Sequence, residues 1–262
     1  MKLRPCAVSG MFYPSDPDHL EQLLAKFFSD AGNDRNSNGV VVPHAGYIYS
    51  GRVAALSYAS INPGFSGTFL LVGPSHRGFE TCVSMVPWET PLGIVDNDNE
   101  LGEALNIDPD EISHQDEHSL EVQVPFIKYR FPRARITPIM MGRQDYRSAQ
   151  ELSEQITSAI RRTGREVRII ASSDFSHYVH ADVARNNDLY AIEALYKFDI
   201  PEFYQRIGER NITACGYGPI SAMLMACQKY GGRKAELIHY ATSGDITEDN
   251  SAVVGYAAIA VI

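Results

Sequence analysis

The chain alternates short apolar runs with longer stretches whose apolar residues recur at helical spacing. Four runs, at 39–42, 68–72, 136–141 and 167–171, have the length and β-branched content of buried strands, and a fifth at 253–262 closes the chain. Between them, Pro17 followed by DHLEQLLAKFF predicts a first helix with proline in its opening turn. Further helices are expected over 50–59, 119–129, 148–162, 182–197 and 219–230. Uninterrupted apolar strands separated by helices imply an α/β fold with a largely parallel sheet covered by helices on both faces. The polar stretch 30–39 reads as a surface loop, and the basic stretch 128–135, broken by aromatics and Pro132, as a solvated helix end. No linker or internal repeat divides the chain, so residues 1–262 read as one domain.

In parallel sheets the loops at the carboxyl ends of strands hold the ligand site. Three such loops, PHAGY at 43–47, GPSH at 73–76 and SDFSH at 173–177, each place a histidine just past a predicted strand. His44, His76 and His177 therefore share one end of the sheet. Imidazole is the commonest metal ligand near neutral pH, and Gly46, Gly73 and Gly78 supply room to turn. Cys215 lies just ahead of the helix that Pro219 is expected to open. The free N–H groups there favour a thiolate, which binds metal or attacks electrophiles; the alternative is an inert small residue in a tight turn. Cys227, within ISAMLMACQ, reads as core.

The segment HQDEH at 114–118 matches an H-x-x-E-H zinc-peptidase pattern. That chemistry needs both histidines one turn apart on a helix. Asp116 instead reads as the N-cap of a helix beginning at Glu117, which leaves His114 in a loop outside the site. Glu117, His118 and Glu121 then occupy a first helical turn, where a carboxylate can orient a histidine or act as a base. A Ser/His/Asp hydrolase built on Ser173, Asp174 and His177 is disfavoured because the groups are sequence neighbours. Neither a G-x-G-x-x-G nor a Walker A loop is present, nor a G-x-S-x-G elbow.

The formal net charge of −9 over 262 residues argues against a broad nucleic-acid-binding face. The longest apolar run falls far short of the roughly 20 residues that span a bilayer, and the N-terminus lacks the apolar core of a signal peptide. The four cysteines form no C-x-x-C pair, so a reducing, cytoplasmic setting is expected.

Taken together, VVPHAGYIYSG, LVGPSHRG, TPLGIVDND, DEHSLEVQVPF, ASSDFSHY, ACGYGP, YATSGD and VVGYAA resemble the Memo family, from SGMFYP to the C-terminus. Prokaryotic members are called AmmeMemoRadiSam system protein B, a name that implies AMMECR-type and radical SAM partners; eukaryotic members mediate cell motility driven by an ErbB receptor. The resemblance implies a fold similar to the class III extradiol dioxygenases, which are non-haem iron enzymes. His44 and His76 match the metal-binding histidines and Cys215 the third ligand, while His118, Asp174 and His177 match residues lining the same cleft. A cysteine where the dioxygenases have a carboxylate shifts preference toward softer ions, so the implied cofactor is one metal ion, Fe(II) or Cu before Zn. Three functions follow: a metal-dependent redox enzyme or oxygenase on a small molecule, a peptide-binding module that keeps the cleft, or an accessory protein to a radical SAM partner. Eukaryotic relatives are associated with phosphotyrosine peptides, and a histidine-lined cleft attracts an anion, but only Arg52 and Arg77 lie near the site loops.

Overall fold

A computed structural model describes residues 3–32 and 35–262. Positions 33 and 34 of the expected loop, and the first two residues of the N-terminal segment, lie outside the described residues. Strands β1 (Gly39–Val42), β2 (Thr68–Pro74) and β3 (Cys82–Val83) are followed by a small hairpin of β4 (Trp88–Thr90) and β5 (Gly93–Val95). Next come β6 (Arg135–Met141), β7 (Val167–Ser172), β8 (His177–Val179), β9 (Ala235–Thr242) and β10 (Val253–Val261). The main sheet runs β3-β6-β2-β7-β1-β10-β8, with β9 also paired to β10. Its centre, β6-β2-β7-β1, is parallel, and the flanking pairs are antiparallel. The sheet is therefore mixed but largely parallel, as the strand pattern predicted.

Successive residues of each central strand feed opposite cores. Val41, Leu70, Val72 and Ile169 pack with Leu152, Ile156 and Met223 from helices Tyr146–Thr163 and Tyr217–Lys229. Val40, Val42, Leu71 and Ile170 pack on the other face with Leu20, Tyr58 and Phe126 from Pro17–Ser29, Tyr47–Ala59 and Val124–Arg130. Burial on both faces explains the near-continuous apolar runs. Among the described residues no helix is long and apolar enough to cross a membrane.

Several expectations need correction. The helix expected over 119–129 is two, His118–Glu121 and Val124–Arg130, because Pro125 starts a new first turn. Glu117, not Asp116, caps the first of these through its side chain on Ser119 N. His114 is not in a loop. It ends the one-turn helix Glu111–His114, buried edge-on against Trp88, with ring centroids 5.7 Å apart. The basic stretch 128–135 is a helix end only as far as Arg130; Phe131 is buried and Arg135 begins β6. Pro219 sits in the first turn of a helix that starts at Tyr217. Strand β9 and helix Ile200–Glu209 were not foreseen.

The tightest join between the sheet end and the following helices is Gly216. A methyl group there would run into the Ser172 carbonyl and come within 2.7 Å of Ser173 Cβ. Gly216→Ala is expected to cost about 1–3 kcal/mol through overpacking. Gly208, in an exposed helix with open space around it, is the control: Gly208→Ala is expected to raise stability by up to ~1 kcal/mol. Thermal melts of the two variants check this, and equal midpoints would contradict it.

Candidate metal centre

The carboxyl ends of β1, β2 and β7 converge as the topology requires. His44 follows β1, His76 follows β2, and Asp174 lies between β7 and β8. His44, His76 and His118 each place one donor nitrogen so that all three lie within 4.8 Å of one another. Their rings meet edge-on or stacked, with centroids 4.5–5.4 Å apart. Cys215 joins this group through His44: its Sγ is 3.1 Å from His44 Nε2.

The hydrogen bonds fix which nitrogen each ring turns inward. Ser172 Oγ donates its one proton to the Ser119 carbonyl at 2.6 Å and accepts from Gln123 Nε2 at 2.8 Å. It must therefore accept from His44 Nδ1, 3.0 Å away, which leaves the lone pair of His44 on Nε2. Glu117, an ionised carboxylate, can only accept, so His76 Nδ1 donates to it at 2.9 Å, which in the neutral ring puts the lone pair on His76 Nε2. Glu117 also takes His76 N at 2.9 Å and Ser119 N at 2.9 Å, and lies 3.5 Å from His118 Nδ1. Burial alone would raise the Glu117 carboxyl, but its bonds from His76 and Ser119 outweigh burial and hold it at about 2. Burial, reinforced by the neighbouring histidines, pushes His44 well below the usual histidine range and lowers His118. Neutral imidazoles are the metal-binding form.

Cys215 departs from expectation. It does precede a helix, but burial, with Asp174 adding to it, pushes its thiol up rather than down. Its Sγ lies within hydrogen-bond distance of both His44 Nε2 and the Asp174 carbonyl. Asp174 acts as a bracket: its Oδ1 accepts His44 N at 2.8 Å, while its own N–H points at Cys215 Sγ, 3.2 Å away. Burial raises the Asp174 carboxyl. His177 Nδ1 donates to the Thr213 carbonyl at 3.0 Å, which in the neutral ring puts the lone pair on Nε2, on the cleft wall. The cleft holds about 670 Å³, and His44, His76, His118, Asp174 and His177 all line it, with no lysine or arginine among the described residues that do. Arg52 and Arg77 pair elsewhere, with Asp30 and Asp116. His114 is outside it.

Sequence reasoning placed the histidines, Asp174 and Cys215 together, and Glu117 as a carboxylate able to orient a histidine. It missed Ser172, Gln123 and Thr213, which set the tautomers, because single polar residues at a strand end, before a helix and in a loop carry no distinguishing spacing. It also missed Asp188, which lies fully buried under the Asp174–His177 loop and takes Ser176 Oγ and Tyr240 Oη, both at 2.6 Å.

The mixed α/β sheet with a histidine cluster at the carboxyl ends of its strands defines a protein with a metal-centre-like cleft. The chain belongs to the Memo family: the family model described as Memo-like protein matches residues 4–260. MEMO1 family proteins from Methanosarcina barkeri and Methanosarcina acetivorans are 48% and 47% identical, over 99% and 100% of this chain and 100% of each relative. One from Archaeoglobus fulgidus is 44% identical over 98% of both chains.

Burial is the chief reason the Asp188 carboxyl is raised from 3.8 to about 6. Between those values the folded protein keeps a proton that the unfolded chain has lost, so Asp188 makes stability fall as pH rises through that window. Asp188→Asn is expected to remove on the order of 2–3 kcal/mol of that fall. Urea denaturation of both proteins at intervals from pH 4 to pH 7 checks this; parallel stability curves would contradict it.

Proposed function

We propose that the cleft holds one metal ion and that the chain is a metal-dependent redox enzyme or oxygenase acting on a small organic substrate. The observation that supports this most is the fixed inward direction of the His44 and His76 Nε2 lone pairs. Ser172 and Glu117 bind the opposite nitrogens, as partners of metal-ligating histidines do. His44 and His76 are common to both candidate ligand sets: the family motifs add Cys215, which touches His44, and the three clustered ring nitrogens add His118. A bound Fe(II) or Cu ion would supply redox chemistry and Lewis acidity, whereas Zn would supply only the latter. His177 offers Nε2 as a base on the cleft wall, and Asp174 keeps His44 and Cys215 in register. The chain's setting is a reducing cytoplasm, in line with four unpaired cysteines. Association with AMMECR-type and radical SAM proteins belongs to the same proposal and is supported by family resemblance alone.

Anaerobic calorimetric titration of Fe(II), Cu(I) and Zn(II) tests the ligand set. Replacing both His44 and His76 by Ala should abolish binding; because His76 Nδ1 also offsets the buried Glu117 charge, the melting temperature should fall as well, and circular dichroism checks that the variant is folded before titration. Glu117→Gln should weaken binding by about 10–100-fold, Cys215→Ser should weaken Cu(I) most, and His114→Ala should change nothing. Unchanged affinity in the double variant would put the ligands elsewhere. Nitric oxide binding to the Fe(II)-loaded protein, followed by electron paramagnetic resonance, tests for an open coordination position. A site without one gives no adduct and contradicts the enzymatic reading.

A further inference from the structure

The cleft that holds the histidines continues away from them toward the β9–β10 connection, where Ser243, Thr247 and Asp249 line it. Phe12, Tyr49, Tyr178 and Tyr256 form much of its wall, and its two carboxylates are Asp174 and Asp249. Tyr256 is nearly fully buried, with Asp174, Tyr49 and Tyr178 as neighbours of its hydroxyl. These groups therefore crowd one end of the cavity.

Tyr178 is the unusual member. Its φ of 58° is in the left-handed region, which a bulky residue seldom occupies, and its side chain is 80% exposed. The strain is held from both sides: His177 N donates to Thr213 Oγ1 at 2.8 Å, and Val179 pairs with Val253. A strained backbone that delivers an aromatic ring to a cavity mouth gains nothing from burial in the free protein. Strain of this kind collects where a ligand is clamped. Asp249 completes the arrangement. Ser251 N and Ser251 Oγ both bond its Oδ1, which keeps the carboxyl ionised and leaves Oδ2 toward solvent.

We propose that this end of the cleft binds the positively charged end of an organic cation, an alkylammonium group set against the tyrosine rings and Asp249. Ring faces carry negative potential and attract ammonium groups within about 6 Å of the centroid. A phosphate would face the same rings and Asp249 with only His177, whose ring centroid is 5.9 Å from that of Tyr178, beside them, and with no lysine or arginine among the described residues lining the cleft. The ligand is thus cationic at this end, with its donor atoms toward the histidines. That last orientation rests on the metal-site reading above; the charge preference does not.

The test uses metal-free protein, so that the outcome is independent of metal loading. Benzyltrimethylammonium and phenyl phosphate, similar in size and opposite in charge, are titrated and followed by saturation-transfer NMR and calorimetry. The ammonium probe should bind at least about fivefold more tightly than phenyl phosphate. Asp249→Asn and Tyr178→Ala, both at the surface, should each weaken it by about threefold or more with unchanged melting temperature. Equal or tighter binding of phenyl phosphate would overturn the proposal, as would ammonium binding unaffected by both substitutions. The result stands whichever way the metal titrations fall, since loss of metal binding by the histidine variants bears on the other end of the cleft.

Discussion

Everything at the site turns on a buried carboxylate. Glu117 is 1% exposed, ionised, and has no lysine or arginine bonded to its carboxylate. An isolated buried charge costs several kcal/mol, and here His76 N, His76 Nδ1 and Ser119 N offset it with directed bonds. The same bonds orient the His76 ring and cap the helical turn that carries His118. One acidic group thus couples two loops and leaves a negative centre beside the histidine rings, an environment that favours a cation.

Glu121, one turn on, has a different task. It accepts Arg4 Nη1 at 2.7 Å, Tyr13 Oη at 2.7 Å, and the Ala7 and Val8 N–H groups, while Arg4 also donates to the His114 and Glu117 carbonyls. Removing one partner of such a buried pair typically costs about 3–5 kcal/mol. The network ties the N-terminal segment to the short helix and brings Phe12 to 4.8 Å from His118. The cleft is therefore assembled from both ends of the chain, from residue 12 to Tyr256.

The parallel centre of the sheet was legible because Val40, Val41, Val42 and their counterparts are buried whichever face they occupy. Strand β9 was not, since AELIHYAT lies at an edge with a mixed burial pattern and lacks both alternation and an apolar run. The helix read through 119–129 failed at Pro125, whose ring suits a first turn and costs about 3 kcal/mol in a helix interior. His44, His76 and Cys215 were placed by loop topology and family motif. That burial pushes the Cys215 thiol up was not legible, because helix position argued the other way and burial is invisible in sequence. Nor could spacing reveal that Ser172 and Thr213 set the tautomers. Those bonds link residues 128 and 36 positions apart.

The central claim is that the inward lone pairs of His44 and His76 hold a metal ion. Anomalous diffraction from crystals of the metal-loaded protein, recorded on either side of the metal's absorption edge, tests it most directly. The expected result is one strong peak within about 2.3 Å of a ring nitrogen of each, with Glu117 still bonded to His76 Nδ1. A peak held by surface carboxylates alone, or none in the cleft at full metal loading, would contradict it.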